Sequence, residues 1–528
     1  MMLAERRIAL RVLEAGAIAV VIAAAPYKTF DLERFFVPKE LVLSVTALVV
    51  TLLCVARAKR ISISRADQLL ALWLVLGVVS AVFATNWWLA GRAVAVSLGG
   101  AACFWCARTL ARAGYSRALV AALALAGVVG AATALLQAYG VKSELVSLNR
   151  APGGTFGNRN FMAHLCVITL PALLFSGLRA PTRASLARWC AGIALISGAL
   201  ILSRSRAAWL ALVVGIVVLI VAGIIALRRR DGSLELSRLF VLCIAAGAGA
   251  GAALVIPNTL DWTSDSPYAD TAHSIVNYKG GSGHGRLIQY GNSLKMTLRH
   301  PLLGVGPGNW SVVYPHFASE NDPSIGRDGM TSNPWPSSDW VTFLSERGPV
   351  GLGLIGLAML ALLMDGLRGL NNGEDTEARL SAAVLLATLV VLVIVGTFDA
   401  VLLLPVPALV GWSLLGALAA SSRERGAIEM TALRRIAALV CVAALGGLVV
   451  TRSGAQLMAM SIYATSSKAS VLERASAIDP GSYRIHARLA QLYLGRGDCK
   501  RSTVHASAAK RQFPSSPAAR RLLASCGG

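Results

Sequence analysis

The chain is dominated by apolar runs long enough to cross a lipid bilayer. A helix needs about 20 mostly apolar residues to span the hydrocarbon core, and only helices or closed barrels satisfy their backbone hydrogen bonds there. The composition agrees, since 55% of the residues are hydrophobic and 15% are charged, whereas soluble domains contain about 25% charged residues. The sequence therefore predicts an all-α, polytopic membrane protein with about 12–13 transmembrane helices.

The apolar runs also divide the chain. The predicted spans cover residues 8–26, 40–56, 68–85, 92–107, 118–138, 160–178, 189–203, 207–227, 239–257, 349–367, 380–397, 400–420 and 436–452. We expect four parts: transmembrane helices over 1–257, a large polar loop over 258–347, further transmembrane helices over 348–452 and a helical tail over 453–528. A loop of this length, with its own aromatic residues and glycines, is typical of an ordered cap rather than a simple connector.

Lysine and arginine residues are distributed unequally between the two sets of connecting loops. One set holds 23 of them and the opposite short loops hold 9, and the richer set is expected to face the cytoplasm. This predicts a bacterial inner-membrane protein with a cytoplasmic N-terminus and with the large loop and C-terminus in the periplasm. The formal net charge is +23, and most of the excess lies in short loops between spans, where it orients the helices in the membrane. We therefore predict no nucleic-acid partner.

The tail contains turn signals between short helical patterns. Breaks at Asp479-Pro480-Gly481 and at Phe513-Pro514 separate helix pairs, an arrangement that resembles a tetratricopeptide repeat; a generic helical hairpin is the alternative. Fewer repeats are visible than the roughly three needed to stand alone, so the tail would rest on the loop or on a protein partner. Cys499 and Cys526 lie in this exported tail, where a disulfide is chemically allowed, and the sequence leaves their pairing open.

Arginines stand at the predicted outer ends of several spans, against the inside preference for positive charge. They are Arg150 and Arg159 around a glycine-rich segment, Arg204 and Arg206 between two spans, and Arg286 in the loop. A single arginine at such a position can extend its guanidinium to lipid headgroups. Several that converge would form a site for phosphate or pyrophosphate, because the guanidinium group matches phosphate oxygens in two places.

The order of these motifs is similar to that of the O-antigen ligase and polymerase family over about residues 140–420. The chain contains Gly-Thr-Phe-Gly-Asn-Arg-Asn-Phe, then Ser-Arg-Ala-Ala-Trp, then Gly-Arg and His-Pro-Leu-Leu-Gly-Val-Gly-Pro-Gly-Asn-Trp, and finally Ser-Asp-Trp-Val-Thr-Phe-Leu-Ser-Glu-Arg-Gly. The resemblance implies a membrane-type glycosyltransferase that uses no metal or other cofactor.

The resemblance also implies a reaction and its partners. Such enzymes take a glycan from an undecaprenyl-pyrophosphate carrier in the periplasm and pass it to the lipid A core of lipopolysaccharide, to another glycan or to a protein. Arg206 and Arg286 occupy the positions of the family's pyrophosphate-binding arginines, and we add Arg150, Arg159 and Arg204 as candidate substrate-binding residues. Fixed cations would stabilise the charge that develops on the departing diphosphate.

One position departs from the family pattern. Family ligases usually carry a histidine about nine residues before the loop's last glutamate, where it activates the acceptor hydroxyl as a general base. Here that position is Ser337, and serine cannot act as a base unaided. Asp339 and His316 are the candidate catalytic replacements; absence of any base and an inactive protein remain as alternatives. An N-cap role for Asp339, and simple packing for His164 on an apolar helix face, are the competing structural interpretations.

Two other classes of function compete with an enzyme. A transporter or flippase of lipid-linked glycans would need polar residues through the middle of its spans, whereas the span centres are almost wholly Ala, Val, Leu, Ile and Gly. A catalytically inactive scaffold would bind partners through residues 453–528.

Overall fold

The computed structural model describes residues 2–30, 32–146, 150–228, 236–273, 281–326 and 328–526. Its membrane helices are α1 (Met2–Ile22), α2 (Glu33–Ala56), α3 (Arg65–Val82), α4 (Trp87–Leu110), α5 (Ser116–Ala138), α6 (Arg159–Leu178), α7 (Arg183–Ser203), α8 (Arg206–Arg228) and α9 (Leu236–Val255). The large loop contributes α10 (Pro267–His273), α11 (Gly281–Arg299) and α12 (Trp310–Val313). The chain continues with α13 (Asp339–Asn372), α14 (Thr376–Phe398), α15 (Pro405–Leu418) and α16 (Ala432–Thr465).

The predicted all-α polytopic membrane protein is confirmed. Within the described residues, 10 helical stretches are long and apolar enough to cross a membrane, and one of them, Trp87–Ala138, contains both α4 and α5. Those two helices meet at a turn where Gly114 has φ 91°. Two further predicted spans fall on α1, whose first half is charged, and on α15, which is short. Every predicted span therefore coincides with a helix.

Ion pairs and a short two-stranded sheet mark one end of the helix bundle. Strands β1 (Arg60–Ile63) and β2 (Gly426–Glu429) pair antiparallel there and connect α2–α3 with α15–α16. Beside them the guanidinium of Arg108, at the end of α4, lies 2.6 Å from the carboxylate of Asp67, at the start of α3. We call this the sheet end. The large loop lies at the opposite end, the loop end, where α3 finishes and α4 begins.

Helix α15 lies at the centre of the membrane part. All of its residues are buried, and it packs against α4, α5, α1, α2, α14 and α6. Its apolar surface on every side suits a helix that neighbours surround completely. The connection that leads into α15 therefore reaches the loop end in the middle of the bundle, and this connection contributes to the site below.

The tail folds into helices at the predicted places and rests on the loop end. The helices are α17 (Ala469–Ile478), α18 (Tyr483–Leu494), α19 (Cys499–Gln512) and α20 (Pro517–Ala524). A disulfide joins Cys499 to Cys526, as oxidising conditions would allow. The guanidinium of Arg484 lies 3.5 Å from the carboxylate of Glu33, so the tail is held against the membrane part. Its identification as a tetratricopeptide repeat stays a prediction.

Candidate functional site

Two arginines at the loop end stack on the two-ring system of Trp262. The guanidinium carbon of Arg159, at the start of α6, lies 4.9 Å from the centre of the Trp262 ring. That of Arg204, between α7 and α8, lies 4.6 Å from the same ring. Each contact is an attraction between a cation and the negative face of the ring. Trp262 comes from the large loop, so the loop holds together cations from two different helix junctions.

The backbone at Arg204 explains why this guanidinium can turn toward Trp262. Arg204 ends α7 with φ 51°, a left-handed conformation that is uncommon outside glycine and that often marks a functional position. Its Nε donates a hydrogen bond to Thr271 Oγ1 at 2.9 Å. Arg206 follows as the first residue of α8, so the Ser-Arg-Ser-Arg motif is the tight turn between two membrane helices.

The glycine-rich segment before α6 brings Arg150 close to Arg159. The backbone N–H of Arg159 donates to the carbonyl of Arg150 at 3.1 Å, and the charges of Arg150 and Arg204 both act on Arg159. Gly157 has φ 71°, and a Cβ there would lie 2.2 Å from the Phe35 ring. The glycine is therefore needed both for the turn and for the close approach to α2.

Arg286, on α11, is linked to these arginines through Asp399. Its charge and that of Arg150 act on the carboxylate of Asp399, which follows α14. Burial raises the pKa of Asp399 to about 6, and the two arginines oppose that rise. The Asp399 carboxylate also accepts a hydrogen bond from the backbone N–H of Ala400 at 2.9 Å. We refer to Arg150, Arg159, Arg204 and Arg286 as the arginine cluster.

Asp399 and Trp262 were not among the residues proposed from the sequence. The signal for Asp399 was a lone carboxylate between the apolar runs 380–397 and 400–420, a costly place for a charge. Trp262 had no comparable signal, because its contacts join residues that are distant in sequence. The structure thus brings four of the five predicted substrate-binding arginines to one place, with Arg206 two residues from Arg204.

Ser337, which stands where the family histidine is expected, contacts two residues of α11 that lie one helical turn from Arg286. Its backbone N–H donates to Gln289 Oε1 at 3.1 Å, and its carbonyl accepts from Tyr290 Oη at 2.7 Å. Gln289 and Tyr290 follow Arg286 by three and four residues on α11, so all three share one face. Tyr290 Oη also lies 3.0 Å from the Thr397 carbonyl, just before Asp399.

Asp339 has a buried position with both carboxylate oxygens engaged. One accepts from the backbone N–H of Val401 and the other from that of Leu402, each at 2.9 Å. The N-cap of α13 is the preceding residue, Ser338, whose Oγ accepts from the N–H of Val341. Asp339 therefore holds the α14–α15 connection in place, and its oxygens face backbone donors rather than an open site.

His316, the other predicted base, is exposed on the loop. It ends a short 3-10 turn at Tyr314–His316, and its Nδ1 lies 3.2 Å from the carbonyl of Val313. Nearby, Trp310 and Tyr314 pack with Met296 in a small core of the loop. No described contact joins His316 to the arginine cluster.

The glycine-rich motif after α11 forms a turn that is hydrogen-bonded to Glu346. The carboxylate of Glu346 accepts hydrogen bonds from the backbone N–H groups of Gly308 at 2.8 Å and Trp310 at 3.1 Å. Gly304, Gly306 and Gly308 have φ values of 65°, 93° and 69°. A Cβ on Gly304 would lie 2.4 Å from the Glu346 carbonyl carbon. These residues fix the loop to α13 rather than contact the arginine cluster.

The arrangement is suited to bind a diphosphate. Four arginines come from the α5–α6 connection, the start of α6, the α7–α8 turn and α11. They are linked by the contacts with Trp262 and by charges that act on Arg159 and on the buried carboxylate of Asp399. Guanidinium groups donate paired hydrogen bonds to phosphate oxygens and stabilise charge that develops on a leaving group.

Comparison with known proteins covers part of the chain. Residues 191–356 match the family model described as O-antigen ligase. This range includes Arg204, Arg206, Arg286, Ser337 and Asp339, while Arg150, Arg159 and Asp399 lie outside it. No curated protein matches the chain. The match supports a membrane glycan ligase or polymerase family and, with the helix bundle, a multi-pass membrane protein: the segment from α7 to the first half of α13 is similar to the O-antigen ligase domain.

Proposed function

We propose that this protein is a membrane glycosyltransferase that transfers or polymerises a glycan from undecaprenyl pyrophosphate on the periplasmic face of the bacterial inner membrane. The observation that carries the proposal is the convergence of Arg150, Arg159, Arg204 and Arg286 from separate segments at the loop end. Gathering like charges costs energy unless an anion joins them, so the cluster fits a polyanionic headgroup.

The position of the cluster also fits a lipid-linked substrate. Arg159 and Arg204 lie at the ends of membrane helices, where a pyrophosphate on a polyprenyl chain would be found while the chain stays in the hydrocarbon. The large loop covers them and contributes Trp262. The distribution of lysine and arginine between the two ends supports a cytoplasmic sheet end and a periplasmic loop end. Acceptors of the proposed transfer are the lipid A core, a growing glycan or a protein hydroxyl.

The test is a matched pair of variants on α11. Arg286→Ala removes a guanidinium from the cluster, whereas Arg299→Ala removes an exposed one at the other end of the same helix. We expect Arg286→Ala to lose surface polysaccharide ladders on gels, and undecaprenyl pyrophosphate to bind the purified variant at least tenfold more weakly. Arg299→Ala should match the wild type. Unchanged ladders and binding for Arg286→Ala would contradict the proposal.

The tail is proposed to bind a protein partner through its repeat-like helices. Asn86 Nδ2 donates to the Gln512 carbonyl at 3.1 Å, and Arg484 pairs with Glu33, so the tail is positioned beside the loop end. A chain shortened by removal of residues 453–528 tests this role. Transfer by the purified shortened protein, combined with loss of polysaccharide in cells, is the expected result; normal ladders in cells would argue against a partner.

A further inference from the structure

A pocket lies beside the arginine cluster, between α2, α6 and the connection that leads into α15. Its lining includes Lys39, Phe156, Phe161, His164, Ala400 and Val401. Asp399, which the cluster's charges reach, directly precedes two of these residues. The pocket therefore adjoins the proposed pyrophosphate site from the membrane side, and it is mostly apolar.

His164 is the chemically unused group in this pocket. Its side chain is 1% exposed, and neither Nδ1 nor Nε2 has a hydrogen-bond partner. A buried polar group without a partner costs about 1–3 kcal/mol, so such groups are rare and call for a reason. Simple packing, the interpretation suggested by the apolar face of the helix, does not explain an imidazole with both nitrogens unpaired.

The other polar group of the pocket is already occupied. The Lys39 ammonium donates to the carbonyl of Val21 at 3.0 Å and to that of Ala23, which lie at the end of α1. Lys39 thus satisfies the last carbonyls of a helix, a common role for a cation. His164 remains as the group in the pocket that can exchange a proton.

His164 also stands at a useful place relative to the cluster. Arg286 lies within electrostatic range of His164 and of Asp399, and Asn160, one turn before His164 on α6, hydrogen-bonds Asp399. A base must stand apart from the leaving group, with the reacting carbon and the acceptor oxygen between them. His164 lies one turn farther along α6 than Asn160, and Ser337 leaves the family's usual base position without one.

We infer that His164 is the general base that activates the acceptor hydroxyl, an inference that rests on the proposed function. The imidazole accepts the hydroxyl proton while the acceptor oxygen bonds to the anomeric carbon of the donor sugar. The bond from that carbon to the pyrophosphate oxygen breaks, and the pyrophosphate keeps the electron pair beside the arginine cluster. The proton then passes from His164 to the released diphosphate or to water.

The experiment compares His164→Leu and His164→Asn with Cys166→Ala, a buried change on the same helix. The probe is radiolabelled undecaprenyl-pyrophosphate glycan from the parent cells, with the envelope fraction of those cells as acceptor. Loss of a general base lowers the rate by about 100- to 10,000-fold. We expect both His164 variants to lose at least 100-fold in kcat, with undecaprenyl pyrophosphate binding within twofold of wild type, and Cys166→Ala to keep its activity.

The same variants separate a base from a packing residue. His164→Leu removes an unpartnered polar group, so its melting temperature should equal or exceed that of the wild type. Turnover by His164→Leu above a tenth of the wild-type rate would overturn the inference, as would failure of both His164 variants to fold. If His164→Leu is active while Arg286→Ala is inactive, only the role of His164 fails. If both are active, the proposed function itself fails.

Discussion

The buried carboxylate of Asp399 leads to a quantitative prediction. Asp399 is 9% exposed, and burial raises its pKa from 3.8 to about 6 although Arg286 and Arg150 favour the charged form. Because the folded pKa lies above the unfolded value, the folded state binds this proton more tightly. The resulting stabilisation is complete below pH 3.8 and is lost as the pH rises through about 6.

The size of the effect follows from the two pKa values. The interval from 3.8 to about 6 corresponds to about 3 kcal/mol, at about 1.4 kcal/mol per pH unit. Asp399→Asn stays neutral and keeps a side-chain oxygen for the N–H of Ala400. At pH 8 this substitution should therefore raise the free energy of unfolding by up to about 3 kcal/mol, and at pH 4.5 by only about 1 kcal/mol.

Thermal unfolding of the purified protein at the two pH values checks this prediction. Glu320→Gln, which neutralises an exposed carboxylate of the large loop, serves as the control and should change the melting temperature little at either pH. A gain for Asp399→Asn that is equal at pH 4.5 and pH 8, or no gain at pH 8, would refute the reasoning. If the gain appears together with lower turnover, the carboxylate is kept for function at the expense of stability.

Three further predictions concern the contacts around the site. Trp262→Ala releases both stacked guanidinium groups, so undecaprenyl pyrophosphate should bind more weakly, by about 1–2 kcal/mol. Trp262→Phe should bind it nearly as well as the wild type in the same titration. Glu346→Ala leaves one buried and one partly buried backbone N–H group without acceptors and should destabilise the protein by about 2–4 kcal/mol, seen as a lower melting temperature than that of Glu346→Gln. Reduction of the disulfide between Cys499 and Cys526, which are separated by 27 residues, should destabilise the tail by about 3.5 kcal/mol and speed its proteolysis; equal digestion with and without reductant would contradict this.

The membrane helices could be predicted from the sequence because lipid leaves few alternatives. A long apolar run must form a helix when no water is present to satisfy its backbone, so composition alone located α1–α9 and α13–α16. The tail helices were also predictable, since Asp479-Pro480-Gly481 and Phe513-Pro514 interrupt them. The turn between α4 and α5 was located only as the gap between two apolar runs.

The site could be predicted only in part. Arginines at the ends of spans are unusual in any sequence, which singled out Arg150, Arg159 and Arg204. Arg286 was singled out by the Gly-Arg motif of the loop. Their convergence depends on how α6, α8 and α11 pack, and no local pattern records that packing. Asp339 shows the same limit, because its partners Val401 and Leu402 are 62 and 63 residues away. A carboxylate in a motif suggests a general base. Only the fold shows that both oxygens of the Asp339 carboxylate accept hydrogen bonds from backbone N–H groups.

The serine at position 337 leads to the last prediction. The structure holds Ser337 through its backbone, to Gln289 and Tyr290, so a larger side chain there keeps the same partners, which lie one turn from Arg286 on α11. Ser337→His should therefore fold with a nearly unchanged melting temperature and place an imidazole beside the cluster. In combination with His164→Leu, Ser337→His should raise turnover at least tenfold above that of His164→Leu alone. The reason is that an imidazole at either position would take the proton from the acceptor hydroxyl. A double variant as inactive as His164→Leu, although folded and able to bind undecaprenyl pyrophosphate, would show that position 337 does not face the reacting atoms.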